Sequence, residues 1–365
     1  MTPVSMTAPG LDRIASASGV RIDPPTVLPS KTILELSGEA VRARLCAFTD
    51  DAGREYCLRP DMTTPIADMV ARGAADVRRY YYSGPVFRLP ASPADAIEFD
   101  QIGFEWFGGS SPAEDAEAVA LTFEAASLSG AGDVTARVGD IGLYHAVVDA
   151  LGFTPVWKTR LKRAFARRRG PLELLEAATS ANTGGKSALA ASLARMPAAE
   201  AVLAVEDIFS IAGVQPVGGR GAAEIAERLR ESVQEAAPAA EDIARLKAFL
   251  AIEAPVTDAV DTLAAFGSDM GLAVFSALEA FSQKLALSEA LRPAYWEGAI
   301  YSGKVGRRFE YYDGLVFDLV RPGQAERPVA AGGRYDGLLS RMGAGTPIAA
   351  IGAALRVDRM VEGVR

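Results

Sequence analysis

The chain holds a single histidine, His145, and two cysteines, Cys46 and Cys57, among its 365 residues. One imidazole cannot build a multi-histidine metal site or a paired-histidine relay, which argues against metal-dependent hydrolysis and most imidazole-based catalysis. Two cysteines are too few for a disulfide framework or a zinc cage. Both stand in or beside apolar segments, which reads as buried free thiols in a reducing compartment. Basic residues are in deficit: 38 Lys and Arg stand against 46 Asp and Glu, for a net charge of −8. A phosphate backbone is gripped by concentrated Lys and Arg that release counterions, so nucleic acid is not expected as the main partner. No run approaches the ~20 apolar residues that span a bilayer, and Met1-Thr2-Pro3-Val4-Ser5 lacks the basic flank and apolar stretch of a signal peptide. No internal repeat or low-complexity tract is visible. A cytoplasmic protein with no membrane partner is the expectation.

What is present is ample core material, 49% hydrophobic, enough for one large domain or two modest ones. Residues 1 to about 155 alternate short strands and helices. Glu55–Leu58 reads as a strand entering the turn Arg59-Pro60-Asp61. Residues 78–87 read as an aromatic-rich strand, 97–107 as its antiparallel partner, and the Pro-rich segment 89–95 as the loop between them. Ser111-Pro112-Ala113-Glu114 is a helix start, with Ser as N-cap, Pro at the first helical position and Glu closing a capping box. Ala116, Val119, Ala120 and Phe123 then share one helical face. Val134–Val138 alternates as a strand, and Asp140 to Tyr144 reads as a helix start that makes His145 a surface or cap residue. Residues 156–290 are rich in Ala, Leu, Glu and Arg and read as a mostly helical insertion. It opens on a basic helix, 158–169, a solvated face or a docking strip for an acidic partner. Val217 to Gly221 reads as a loop, because it lacks the spacing of a phosphate cradle. Strands return near 296, with a long one over 309–320 and its return over 328–331. Residues 348–364 read as a strand running into a helix.

Three separated segments carry chemistry. The first is Leu58 to Pro65. The second runs from Tyr80 to Arg88 and on through Phe99 to Glu105. The third joins Glu310 to Phe317 with Gly332-Gly333-Arg334-Tyr335-Asp336-Gly337-Leu338. To grip a free amino acid, a site needs an acid for the ammonium, a cation for the carboxylate and groups specific to the side chain. Charge-assisted hydrogen bonds out of water make that grip strong. Asp61 suits the ammonium with Thr63 assisting, and Arg88 suits a carboxylate or a phosphate. Gln101 and Glu105, four apart on one strand, project from the same face. Tyr312 shares strand parity with Glu310 and is expected to turn its hydroxyl toward Glu105. A carboxylate facing a phenol suits an imidazole, which donates from one nitrogen and accepts at the other.

In that order the segments resemble the catalytic core of histidyl-tRNA synthetases. The resemblance covers most of residues 20–155 and 296–362. It implies an α+β fold with a class II aminoacyl-tRNA synthetase-like core, an antiparallel sheet flanked by helices. That core comprises residues 1–155 and 291–365 and is interrupted by the helical insertion 156–290. Carried over motif by motif, it places Thr63, Arg88, Gln101, Glu105, Arg307, Tyr311 and Tyr312 where histidine or its adenylate is contacted. Tyr335 falls on the wall of the imidazole pocket. Asp61 stands where the synthetases carry the glutamate that binds the ammonium.

The departures from that family shift the expected function. The loop after Arg88 has no arginine but carries Asp95 and Glu98. Each acid close to a triphosphate would repel it by about 4 kcal/mol at an effective dielectric near 20. Arg359 matches an ATP-binding arginine, whereas Arg356 replaces a glycine and is expected to crowd the nucleotide. The sequence also stops where an anticodon-binding domain is expected to begin. These features, with the aspartate at 61, resemble the regulatory subunits of ATP phosphoribosyltransferase, paralogues of histidyl-tRNA synthetase. That resemblance implies no catalytic residues, no metal and no cofactor. It implies a homodimer inside a hetero-oligomer with a short-form catalytic subunit, which joins ATP to phosphoribosyl pyrophosphate in the first step of histidine biosynthesis. The regulatory subunit is needed there for activity and for inhibition by histidine. The alternatives are an enzyme that still activates histidine with ATP, and a histidine-sensing scaffold for another partner.

Overall fold

The computed structural model describes residues 4–34, 43–90, 95–165, 170–180, 185–212, 221–234, 238–271, 273–291, 296–305 and 311–360. The strands are β1 (Val20–Arg21), β2 (Val27–Pro29), β3 (Ala47–Thr49), β4 (Glu55–Leu58), β5 (Arg79–Phe87), β6 (Glu98–Phe107), β7 (Thr135–Asp140), β8 (Glu253–Pro255), β9 (Ile300–Ser302), β10 (Leu315–Val320), β11 (Ala330–Arg334) and β12 (Ala350–Arg356). Runs of β-branched and aromatic residues between Gly, Pro and Asp turns form strands such as β5, β6 and β10, whereas β11 and β12 are built largely of Ala and Gly. Nine of the strands form one sheet, ordered β1-β5-β6-β12-β11-β10-β7-β9-β8, while β2-β4-β3 form a small second sheet.

The middle of the large sheet, from β5 to β7, is antiparallel throughout. Toward its two margins, β1 runs parallel to β5 and β9 parallel to β7, so the antiparallel sheet expected from the sequence is the centre of a mixed one. A parallel neighbour needs a long crossover, and β7 and β9 have the whole helical stretch between them.

Ser111 caps the helix Pro112–Leu128, accepting the Glu114 amide at 3.3 Å. This helix is buried nearly all round, a wider burial than the single face read from its repeat. Ala116, Ala118, Ala125 and Ala126 leave room for the helices Val4–Ser18 and Phe275–Leu291 to close on it. At Gly10 the first of these passes so near that an added Cβ would lie 2.5 Å from the Ala125 carbonyl.

The described residues of 156–290 form helices and the turns between them, apart from β8, which joins the margin of the large sheet. Leu246, Phe249, Leu263, Phe281 and Leu285 of this stretch belong to the same apolar core as Phe104, Val138 and Phe317. Lys284 ties the stretch inward, 3.5 Å from the buried Asp115 and 3.2 Å from Asp140, the N-cap of the helix Ile141–Ala150. The helices Gly185–Arg195, Ala198–Ala212 and Ala222–Gln234 instead pack around a small core of their own, with Leu193, Ala201, Val205 and Ala226 at its centre.

Several local readings change. The long strand expected over 309–320 begins only at Leu315, because Asp313 is drawn into another turn, accepting the amides of Asp336 and Gly337 at 3.0 and 2.6 Å. The return strand starts at Ala330 and not at 328. His145 is half-buried within its helix, where burial pushes its pKa down to about 4; the cap is Asp140. In the basic helix Pro155–Phe165, Lys158 and Lys162 turn onto the Asp149 carbonyl and carboxylate at 2.7 Å each. Residues 166–169 and 217–220 lie outside the described residues.

Candidate ligand cleft

The turn Arg59-Pro60-Asp61 is fixed from three sides. Arg59 donates to the Pro85 carbonyl at 2.8 Å, the Phe87 amide donates to the Arg59 carbonyl at 3.0 Å, and Arg88 donates to the Pro60 carbonyl at 2.6 Å. Asp61 then starts the helix Thr63–Ala71 by accepting the Thr64 amide at 2.7 Å and its hydroxyl at 3.2 Å. Beside this turn a cleft of about 570 Å³ crosses the large sheet. Its floor is made of small residues, Ala330 and Ala331 on β11 with Gly352, Ala353 and Ala354 on β12. Asp61, Thr63, Arg88, Gln101, Tyr311 and Tyr312 line it, six of the positions singled out in the sequence.

Glu105 and Tyr335 lie one layer deeper, closed off from solvent. Glu105 is 1% exposed, with Oε1 accepting the Thr63 hydroxyl at 2.6 Å and Oε2 accepting the Tyr335 hydroxyl. The phenols that meet Glu105 are thus Tyr335 and Tyr82; Tyr312, expected there, stands outside the strand because of the Asp313 turn. Gly352 makes this layer possible, since a Cβ there would fall 1.8 Å from Glu105 Oε2. The rings of Tyr311 and Tyr312 lie 4.6 Å apart, and that of Tyr335 stands edge-on to them at 5.6 and 6.0 Å. Arg307 lies outside the described residues.

Burial dominates the electrostatics here. It raises the pKa of Asp61, against the Thr64 amide and the charge of Arg88, which lower it. It lifts Glu105 to about 8, against the hydrogen bonds from Thr63 and Tyr335. It lowers Arg88 to about 10, partly offset by Asp61. Gln101 is 4% exposed and its Oε1 has no hydrogen-bond partner among the described residues. A buried amide oxygen left without a donor is costly, and this one belongs to a residue that lines the cleft.

The remainder of the cleft is charged and largely self-paired. Arg356 holds Asp358 through two hydrogen bonds of 2.8 and 2.6 Å, and its guanidinium lies 3.3 Å from the centre of the Phe99 ring. Arg359 donates to the Pro328 carbonyl at 2.9 Å and lies 3.9 Å from Asp95. Arg44, Arg137, Lys304 and Arg327 add positive charge to the lining, and Asp318 and Glu326 oppose it. At this far end the sequence reading named Asp95, Arg356 and Arg359 and missed Arg44, Arg137, Lys304 and Arg327. It also missed Tyr82, buried beside Glu105 with its hydroxyl 3.4 Å from the Ala353 carbonyl. Its signal was Gly103, the residue it pairs with on β6, which leaves room for a phenol. Among the described residues, no cluster of His, Cys, Asp and Glu has the makings of a metal site, and no helix is long and apolar enough to cross a membrane.

Residues 11–211 and 220–360 match the family model described as histidyl-tRNA synthetase. A Mesorhizobium japonicum protein named ATP phosphoribosyltransferase regulatory subunit is 34% identical, over 92% of this chain and 91% of its own. A Chelativorans protein of the same name is 33% identical over 98% and 96%. The chain belongs to the ATP phosphoribosyltransferase regulatory subunits, within the histidyl-tRNA synthetase family. Solved structures agree on the fold of this family. One, from Bacillus halodurans, is described as an ATP phosphoribosyltransferase regulatory subunit/histidyl-tRNA synthetase. It superposes with a TM-score of 0.66 at 21% identity, over 99% of this chain and 79% of its own. A histidyl-tRNA synthetase from Nostoc superposes at 0.62 and 16% identity, over 100% and 72%. The class II synthetase-like core expected from the motifs is therefore the fold of the regulatory-subunit family too.

Proposed function

We propose that this chain has no catalysis of its own and assembles with a short-form catalytic subunit of ATP phosphoribosyltransferase. There it is required for activity in the first step of histidine biosynthesis and for inhibition by histidine. The observation that carries this reading is the contrast between the two ends of the cleft. The Asp61 end keeps an acid, a cation and an orphaned amide oxygen in the arrangement an amino acid requires. At the other end Arg356 covers Phe99 and Asp95 faces Arg359, so the chain's own side chains take up the surfaces and charges that a nucleotide needs.

Histidine is assigned to the Asp61 end. Its ammonium meets Asp61, its carboxylate Arg88, and its imidazole the side where Thr63 and the tyrosine rings lie above Glu105. Inhibition requires that histidine bind the active and inactive arrangements of the complex unequally. A homodimer of this chain within the hetero-oligomer completes the proposal.

Reconstitution tests it. The purified chain, mixed with the short-form catalytic subunit of the same organism, is expected to form a complex by light scattering. Phosphoribosyl transfer is expected only in the mixture, and it should be inhibited by histidine. Histidine-dependent exchange of pyrophosphate into ATP by this chain alone would overturn the reading, and would mark a histidine-activating enzyme.

A further inference from the structure

Glu105 has the hydrogen-bond frame of a carboxylate and the surroundings of a neutral acid. Both oxygens accept from hydroxyls, Thr63 on one side and Tyr335 on the other. The groups that face it are Thr63 from the helix Thr63–Ala71, Tyr82 from β5, Tyr311, Tyr335 from beyond β11 and the backbone of Gly352 on β12, with Asp61 as a charge that acts on it. No cation is among them, and Asp61 carries the same sign. Such a carboxyl keeps its proton near neutrality, in accord with a pKa raised to about 8.

Thr63 also lines the cleft. A positive group placed against Asp61 and the outer side of Thr63 comes within the few ångströms over which an opposite charge favours a carboxylate. In the neutral form the carboxyl O–H must donate to one of these hydroxyls, so ionisation needs only that this hydroxyl turn its hydrogen back toward the carboxylate, with the oxygens already in place.

We propose that a ligand bringing an ammonium into the cleft beside Asp61 and Thr63 drives Glu105 to give up its proton to solvent. Binding and proton release are then one event. The O–H bond of Glu105 breaks, the proton passes to buffer, and the positive charge of the ligand replaces it as the counter-charge of the pocket. This inference rests on the assignment of histidine to the Asp61 end. It adds that sensitivity to the ligand rises with pH across the neutral range.

Calorimetry of the full chain with L-histidine near pH 7, in phosphate and in Tris, counts the protons exchanged from the difference in heat. Roughly one proton released per histidine is expected, with affinity rising up to about tenfold per pH unit below the Glu105 pKa. Glu105→Gln should bind with that release abolished, and any remainder measures the ligand's own titration. Tyr335→Phe removes one donor to the carboxylate and should move the release to higher pH, a change that a merely structural role would not produce. Histidine binding with no buffer-dependent heat, or unchanged release from Glu105→Gln, overturns the linkage while leaving the ligand assignment in place. No binding at any pH removes the ligand assignment, and this inference with it.

Discussion

The guanidinium of Arg356 lies over the Phe99 ring, 3.3 Å from its centre, and Asp358 holds it there with two hydrogen bonds. A planar cation on an aromatic face occupies the surface on which a planar base would stack. In the proposed function this pair is the reason that end of the cleft takes no nucleotide.

Arg356→Ala is the direct test. Losing the stacked, ion-paired guanidinium should cost about 1–2 kcal/mol in chemical denaturation. It should also bare Phe99. ATP affinity measured by calorimetry is expected to rise, and to rise further in the double variant Arg356→Ala, Asp95→Asn. Unchanged ATP affinity in both would show that the exclusion lies elsewhere.

Asp61 serves the helix start and, in the proposed pocket, the ligand. Asn caps a helix about as well as Asp but carries no charge. Asp61→Asn should therefore leave the melting temperature nearly unchanged while histidine affinity falls by about 10- to 100-fold, the worth of a charge-assisted hydrogen bond. A large loss of stability with retained binding would reverse the two roles.

Glu105 makes stability depend on pH in a fixed direction. Its folded pKa of about 8 lies above the reference value of 4.5, so between these two the native state holds a proton that the unfolded state has released. Stability then falls as pH rises across this window, with a limiting slope of about 1.4 kcal/mol per pH unit. Glu105→Gln removes the titration, so its stability should gain on that of the wild type as pH rises from 5 to 8. Denaturant titrations at several pH values read this directly.

Gly352 lies against Glu105 with no space for a methyl group. Gly352→Ala should force the carboxylate away from Thr63 and Tyr335 and cost about 1–3 kcal/mol, as overpacking does. Histidine binding is expected to fall with it. A variant as stable as the wild type that still binds would contradict the two-layered site.

Much of this site could be read from residue types, because local rules govern it. The strands β5 and β6, the Ser111 cap and the shared face of Gln101 and Glu105 all follow from spacing alone. The partner of Glu105 does not. Tyr312 and Tyr335 are both tyrosines near a strand, and the choice between them rests on Asp313, whose carboxylate is captured by amides more than twenty residues further along. The parallel margins of the sheet also depend on long crossovers that leave no mark in a short window. Arg356 was expected to crowd a nucleotide by its bulk. The structure shows what holds it there, Asp358 by two hydrogen bonds and Phe99 by its ring face.

Lys284 gives the helical stretch a bearing on engineering. It supplies positive charge to Asp115, deep beside Arg334, and to Asp140 at the head of another helix. A shortened protein made by excising residues 156–290 would leave both carboxylates short of that charge and strip β8 from the sheet margin. Trimming confined to the self-packed trio of helices between 185 and 234 avoids both injuries, and is the place to graft or delete.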